Sequence, residues 1–529
     1  MVGSATEAWV RRLAARPDAL PHPAASARLL ETHISWLLLA GEHVYKFKKP
    51  VVTDFVDFGT LARRRAACEE ELRVNRRTAP DLYLGVVPVT GTPDAPRLGG
   101  TGEPFDWAVH LRRFPDDALL AARAAHGQLG PAEIDALARE VATFQAGAAV
   151  ATADSPWGHA ADLARLVADN LPPIAAAVAG TTLAPVLEDL RAWTQAEGAR
   201  LAPLMARRRA AGFVREGHGD LHLGNLLWLD GRARLFDAIE FDPRLRWIDT
   251  ACDIAFLFMD LHAHGLPQLA WRFLNAWLER SGDFGALARL RHDAVYRALV
   301  RAKVAAVRAG QTAEAATRSA ALADVARYLR LARQLAEPPH PWLALTLGVS
   351  GSGKSSQTQP LIEQRGLVRL RADVERKRLF GLAPEDPSTG VPGGIYAEAT
   401  SDRLFAGLLA TARELLADGW PVLVDATFIR RERRAPFAAL AAELRVPWCV
   451  LAFEAPPALL RERVAQRQAQ GGDASEAGLA VLESQLAHAE PLNADEAAHA
   501  VRIDARQAPD WPRLLASWPP PIGPAPEDS

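Results

Sequence analysis

His218-Gly219-Asp220-Leu221-His222-Leu223-Gly224-Asn225 sets an acid and, five positions on, an amide in one short loop, and Asp237 follows the apolar run Ala233 to Phe236. Asp220 is placed to orient or deprotonate a hydroxyl, while Asn225 and Asp237 offer oxygens to Mg2+. Magnesium prefers oxygen ligands, so His218 and His222 read as braces of the loop, not as metal ligands. A second, unrelated signature lies downstream. Gly348-Val349-Ser350-Gly351-Ser352-Gly353-Lys354-Ser355 has the spacing of a phosphate-cradling loop. Together the two stretches predict one chain with two ATP sites on different folds.

The chain has 529 residues, and at roughly 150 residues per domain that allows two to four domains. Its formal net charge of −2 gives no bulk attraction to nucleic acid or anionic membrane. Cys68, Cys252 and Cys449 are far apart and read as buried free thiols in a reducing cytosol. No window nears the roughly 20 apolar residues of a membrane span, and no apolar leader follows Met1. A cytoplasmic protein without a membrane partner is expected.

Ile34 to Ala40 and His43 to Lys48, separated by Gly41-Glu42, predict a β-hairpin. Leu61 to Arg77 reads as a helix, and Val86 to Val89 and Trp107 to Phe114 as further strands. From Pro131 the pattern is helical, interrupted at Phe213 to Phe241 by short apolar runs and the turn Asp230-Gly231. Glu337-Pro338-Pro339-His340-Pro341 cannot continue a helix. Beyond it, helices alternate with short apolar strands, which implies a mostly parallel sheet. The expected division is an α+β protein-kinase-like bilobal domain at 1–336, with a small lobe at about 30–115 and a helical large lobe at about 116–336. A linker at 337–342, an α/β P-loop domain at 343–507 and a proline-rich tail at 508–529 complete it.

In the phosphate loop, Gly348, Gly351 and Gly353 let the backbone wrap an anion, and the amides of Ser350, Ser352 and Ser356 add to the cradle. Lys354 is expected on the β/γ-phosphates and Ser355 on Mg2+. Asp373 and Arg376 are the candidate catalytic pair, a base and a cation beside the acceptor; an N-cap aspartate with a solvated arginine is the alternative. Asp425, ending Val422-Leu423-Val424, is either a carboxylate near Mg2+ or a strand-end cap. Arg463 and Arg467 share a helix face with Arg461 nearby, as a lid over the phosphates or as a solvated face. This segment resembles small P-loop kinases of the gluconate-kinase-like, zeta-toxin-like and polynucleotide-kinase-like kinds. The resemblance rests on the glycine loop, Asp373-x-x-Arg376, Asp425-Ala426-Thr427 and the arginine-rich helix, and implies phosphorylation of a hydroxyl.

The first segment, through His218-Gly-Asp220-Leu-His222-x-x-Asn225, Phe236-Asp237-Ala-Ile-Glu240-Phe and Asp249-x-x-x-Asp253, resembles the aminoglycoside phosphotransferase/choline kinase family. That resemblance implies Asp220 as base, Asn225 and Asp237 on Mg2+, and Asp249 and Asp253 as braces of the loop. Lys46 is the candidate for the α/β-phosphates, with Lys48 on the same strand face. Glu71 is its candidate partner, with Glu69 and Glu70 competing, and Glu240 reads as a metal helper or a structural group. Asp260 and Asp283 read as surface acids, His262 and His264 as surface or packing residues, and Arg297, Arg301 and Lys303 as a solvated helix face or an anion site. The whole layout resembles proteins described as bifunctional aminoglycoside phosphotransferase/ATP-binding proteins. It implies a two-module kinase using Mg-ATP on small-molecule hydroxyl acceptors. The competing readings are a kinase-like module regulated by a P-loop ATPase, a polynucleotide 5′-end kinase fused to a kinase-like domain, and a pseudokinase scaffold.

Overall fold

A computed structural model describes residues 3–52, 56–391, 394–470 and 473–516. The chain forms two compact units, one of residues 1–264 and 292–333, the other of 265–291 and 334 onward.

In the first unit, six strands form one antiparallel sheet: β1 (Ala27–Glu31), β2 (Ser35–Ala40), β3 (His43–Lys48), β4 (Tyr83–Thr92), β5 (Ala95–Leu98) and β6 (Asp106–Arg112), in the order β1-β2-β3-β6-β4-β5. The expected hairpin is β2 and β3, turned at Gly41, whose φ of 58° suits a residue without Cβ. Period-two alternation sends Tyr45 and Phe47 into one core, where Trp9 meets Phe47 edge-on at 5.2 Å, and leaves Lys46 and Lys48 on the opposite face. That face is covered by the helix Leu61–Asn75, whose N-terminus Thr60 caps through the Arg63 amide. The rest of the unit is helical, apart from two small antiparallel pairs. β7 (Val214–Glu216) pairs with β10 (Trp247–Asp249), and β8 (Leu226–Leu229) with β9 (Arg232–Leu235) around the turn at Asp230-Gly231.

The second unit holds a five-stranded parallel sheet: β11 (Leu343–Leu347), β12 (Val368–Arg371), β13 (Val422–Asp425), β14 (Trp448–Glu454) and β15 (Ala500–Asp504), in the order β12-β13-β11-β14-β15. From β11 the chain passes to the edge strand β12, returns to β13 between them, and then crosses to β14 and β15 on the other side of β11, so the strand order reverses beside β11. In open parallel sheets this is where ligands bind. The glycine loop leaves β11 at that point.

Two segments differ from the sequence division. Residues 265–291, expected in the kinase-like domain, belong with the P-loop unit. The reason is an edge: β12 ends the sheet, and Asn275 of the helix Pro267–Ser281 satisfies its backbone as a neighbouring strand would. Asn275 donates to Leu367 O at 2.9 Å and accepts from Arg369 N at 2.8 Å. The proline-rich tail expected from 508 also begins as folded chain. Trp511, on the short helix Trp511–Leu514, and Leu515 are buried in the core beside β11, and Trp511 Nε1 donates to Gln357 O at 2.9 Å. The part expected to be extended, Trp518 to Ser529, lies outside the described residues. Among the described residues, no helix is long and apolar enough to cross a membrane, and Cys68, Cys252 and Cys449 are buried and form no disulfide.

Trp511→Ala should therefore cost the second unit about 3–5 kcal/mol, read as a lower denaturant midpoint, and truncation after 507 should do at least as much. A truncated chain of unchanged stability would show the segment to be dispensable.

Candidate functional sites

Glu71 organises the first site. It is fully buried on the helix Leu61–Asn75 and faces both lysines of β3: Lys46 Nζ lies 2.9 Å from its Oε1, and Lys48 pairs with its Oε2. The two lysines then part company. Lys46 reaches Asp237 Oδ1 at 2.6 Å, whereas Lys48, fully buried, pairs with Glu240. Lys46 is thus the lysine beside Asp237, and Glu240 serves as the counter-ion of Lys48. The competing glutamates point elsewhere, Glu69 to Arg65 and Glu70 to Arg73 and Arg246. Burial opposes charge on all these groups, but the paired charges outweigh it for Glu71, held down to about 2, and for Lys46, held well above its usual range. The Glu240 carboxyl is shifted upward by burial, with Glu71 adding to the effect.

The loop at 218–225 is built from beneath. Asp253 accepts from the backbone amides of His218 at 2.8 Å and Gly219 at 2.9 Å. Asp260, buried and not a surface acid, accepts from Leu223 N at 2.9 Å. Asp249, expected to brace the loop, instead takes a two-point contact from Arg208 at 2.8 and 2.9 Å and caps the helix Thr250–Ala263. Arg297, expected on a solvated helix face or in an anion site, is buried and donates to Gly219 O at 3.0 Å. Arg301 is mostly covered as well, its Nε 3.3 Å from the Tyr328 hydroxyl. His262 packs edge-on against Phe258.

Above this floor the candidate residues meet. Asn225 Nδ2 donates to Asp220 Oδ2 at 2.8 Å and to Asp220 O at 3.0 Å, which leaves its carbonyl oxygen to offer to a cation. The Asn225 backbone oxygen accepts from Phe236 N at 3.1 Å, tying the loop to the residue before Asp237. Asp237 itself has φ 59°, a left-handed conformation uncommon for a residue with Cβ, and its amide donates to the Tyr83 hydroxyl at 3.1 Å. His222 accepts from Gly224 N at its Nδ1, at 3.0 Å, which puts its proton on Nε2, 3.3 Å from Asp220 Oδ2. Burial opposes charge on Asp220, but His222, His218 and Arg301 outweigh it and hold its pKa low. The two histidines act through hydrogen bonds, His218 Nε2 lying 2.9 Å from Phe236 O.

The second site is a cavity of about 290 Å3 at the carboxyl end of the parallel sheet. Ser350, Gly351, Gly353, Lys354, Ser355 and Ser356 form its floor. Gly348 and Ser352 shape that floor without facing the cavity: a Cβ on Gly348 would come 2.7 Å from Ser352 Oγ, and Ser352 lies 3.4 Å from Lys354 Nζ. Gly351 has φ 81° and sits so close to Leu460 O that a Cβ would approach within 2.8 Å. Asp373, Arg376, Asp425, Arg463 and Arg467 all line the cavity. Arg461 does not, being exposed and paired with Glu483. Burial lowers the Lys354 pKa, and Asp425 and Asp373 counter part of that effect.

Several polar atoms here are buried without a partner among the described residues: Asp425 Oδ2, Arg371 Nε, Arg376 Nε, Arg463 Nη1 and Arg467 Nε. An orphaned carboxylate oxygen beside a phosphate loop suits a divalent cation, and orphaned guanidinium nitrogens suit anions. Among the described residues no three His, Cys, Asp or Glu side chains form a metal cluster. Magnesium in a nucleotide site needs few protein ligands, because waters and phosphates supply the rest. Several contributors escaped sequence reading. Arg371 ends β12 as one basic residue among many, and Gln485, whose Oε1 accepts from Ser350 N at 2.7 Å, carries no motif at all.

These geometries define a two-unit protein, an α+β kinase-like bilobal unit with an α/β P-loop unit following it. A family profile described as an AAA domain matches residues 343–492. Uncharacterized proteins of Mycobacterium tuberculosis (Rv2004c) and Mycobacterium bovis (Mb2027c) are each 31% identical to the chain over 447 residues, which cover 84% of this chain and 87% of the relative. The chain belongs to the family of these mycobacterial proteins. Among solved structures, a choline/ethanolamine kinase family protein from Mesorhizobium loti aligns over 62% of this chain and 99% of its own, with 13% identity and a TM-score of 0.35. A gluconokinase from Sinorhizobium meliloti 1021 aligns over 32% of this chain and 85% of its own, with 22% identity and a TM-score of 0.23.

Because Glu71 titrates near 2 when folded and near 4.5 when free, its contribution to stability is complete above about 4.5 and is lost as the pH falls toward 2. Glu71→Gln should flatten the stability profile of the first unit in that window. It should also cost about 3–5 kcal/mol at neutral pH, since two buried lysines lose their shared partner. Denaturant titrations across pH 2–7 would check both, and an unchanged slope would contradict the pairing.

Proposed function

We propose that the chain is a two-module ATP-dependent phosphotransferase, each unit moving the γ-phosphoryl group of Mg-ATP to a hydroxyl of a small-molecule acceptor. The observation that carries this reading is the linkage through Asn225. Its side chain holds Asp220, its backbone holds Phe236, and the next residue, Asp237, meets Lys46. Base, metal ligands and phosphate-binding lysine are thereby fixed relative to one another, and positioning supplies much of the rate in phosphoryl transfer.

In the first unit Asp220 receives or orients the hydroxyl proton, Lys46 binds the α/β-phosphates with Glu71 holding it in place, and Asn225 and Asp237 would hold Mg2+. In the second unit Lys354 and the loop amides bind the phosphates, Arg463 and Arg467 close over them, and Asp373 is the base. Ser355 and Asp425 would hold Mg2+ there. Bound magnesium supplies charge neutralisation of the phosphates. Three buried cysteines outside any disulfide suit a reducing compartment, so we place the reaction in the cytoplasm.

The test is transfer of label from γ-labelled ATP to a panel of hydroxyl compounds, run on the full chain. Asp220→Ala and Lys354→Ala should each abolish one transfer activity, by at least about 100-fold, and spare the other. If both variants remove the same single activity, the units do not work independently. If Lys354→Ala removes only acceptor-independent ADP release, the second unit is a regulatory ATPase. Labelled oligonucleotide 5′-ends in the panel distinguish a polynucleotide kinase.

A further inference from the structure

The cavity of the P-loop unit holds more cations than its loop accounts for. Lys354 belongs to the loop, and Arg463 and Arg467 come from the helix Pro457–Gln470. Arg371 and Arg376 come from a different place, the end of β12 and the helix Ala372–Arg378 after it. Since β13 lies between β12 and β11, this second group begins two strand spacings from the loop, about 10 Å away.

Arg376 is only 8% exposed. Its Nη1 donates to Ile395 O at 3.2 Å and to Ser401 Oγ at 3.1 Å, both neutral acceptors, and its guanidinium lies 5.1 Å from the centre of the Tyr396 ring. Its Nε has no partner, and no carboxylate lies within ion-pair distance among the described residues; Asp373 acts on it only through space. Arg371 Nε is also buried and unpartnered. The remaining nitrogens of Arg371 stand 3.4 Å from Asp473 and 3.7 Å from Glu279, and Glu279 is already engaged by Arg369 at 2.6 Å. A buried cation faced by neutral acceptors is costly, and an anion brought from outside relieves that cost.

We propose that the acceptor of the P-loop unit carries an oxyanion of its own, a carboxylate or a phosphate ester, besides the hydroxyl that is phosphorylated. Arg376, with Arg371, binds that oxyanion, and the rings of Tyr396 and Phe405 flank the carbon skeleton. This assignment rests on the phosphotransfer reading and narrows its substrate. The reacting hydroxyl then lies beside Asp373. Its proton passes to the Asp373 carboxylate, its oxygen forms a bond to the γ-phosphorus, and the bond from that phosphorus to the β,γ-bridging oxygen breaks, so that ADP leaves with the electron pair. Ammonium-bearing acceptors are disfavoured here by like charge.

The experiment uses the full chain carrying Asp220→Ala, which silences the first unit. Sugar acids, phosphorylated sugars, neutral polyols and amino sugars are offered as acceptors with γ-labelled ATP. Binding of each is measured in parallel by calorimetry with a non-hydrolysable ATP analogue. Transfer that depends on Lys354 is expected with the carboxylate or the phosphate arm, and whichever responds identifies the oxyanion. Arg376→Gln should raise the acceptor KM at least about tenfold, by more than it lowers kcat, and Arg376→Lys should restore part of the loss. Arg371→Gln, checked for an unchanged melting temperature, should act in the same direction. Preferred transfer to a neutral or cationic acceptor, or an anionic acceptor whose KM ignores Arg376→Gln, would overturn the inference while leaving phosphotransfer intact. Arg376-dependent binding of the anions without any transfer would uphold the oxyanion site and remove the phosphotransfer reading. A panel that neither binds nor reacts removes both.

Discussion

The charge of Glu71 is the constraint on which the first unit depends. A carboxylate with no exposed surface, set against two lysines on one strand face, fixes several things at once. It sets the distance between the sheet and the helix Leu61–Asn75. It holds Lys46 toward Asp237, and through Lys48 it reaches Glu240, after Asp237 in the chain. Removing water from such ions is expensive, and the expense is offset only while every partner stays in place. The arrangement is therefore close to all-or-none.

The second unit meets a different constraint. A parallel sheet leaves its edge strands with unpaired backbone, and β12 is an edge that also carries Arg371 at its end. The helix Pro267–Ser281 covers that edge with the side chain of Asn275, and Glu279 of the same helix takes Arg369. Glu279 also stands 3.7 Å from Arg371, so the helix that protects the edge reaches a residue lining the cavity. A helix that stands early in the chain completes a sheet whose first strand begins at Leu343.

Much of this was legible in the sequence because the informative signals are local. The strand before the glycine loop, the hairpin around Gly41 and the Asp220 to Asn225 spacing all depend on neighbours within a few residues. Signals that depend on distant partners were not legible. Alternation along β3 puts Lys46 and Lys48 on one face, and only the positions of Asp237 and Glu240 tell them apart. Arg297 and Asp260 carry charge, so composition sends them to the surface; the carbonyl of Gly219 and the amide of Leu223 bring them inside. The buried Trp511 follows a run that composition reads as tail, because a single large side chain outweighs the prolines around it.

Buried charge also separates framework from site, and it does so without reference to any motif. Arg434 meets Glu496 through two nitrogens and Phe428 O through the third, and it is fully buried. Arg208 and Asp249 likewise close on each other. Such ions are complete, and an added ligand would have nothing to bind. The cavity beside the glycine loop is the reverse: Asp425, Arg371, Arg376, Arg463 and Arg467 each keep a buried polar atom that no described residue satisfies. A folded chain tolerates a few such atoms, each costing about 1–3 kcal/mol, but five on the walls of one cavity amount to a deficit that a bound polyanion with its cation would remove. The unsatisfied atoms thus lead to the same cavity as the phosphate-loop motif, by an independent route.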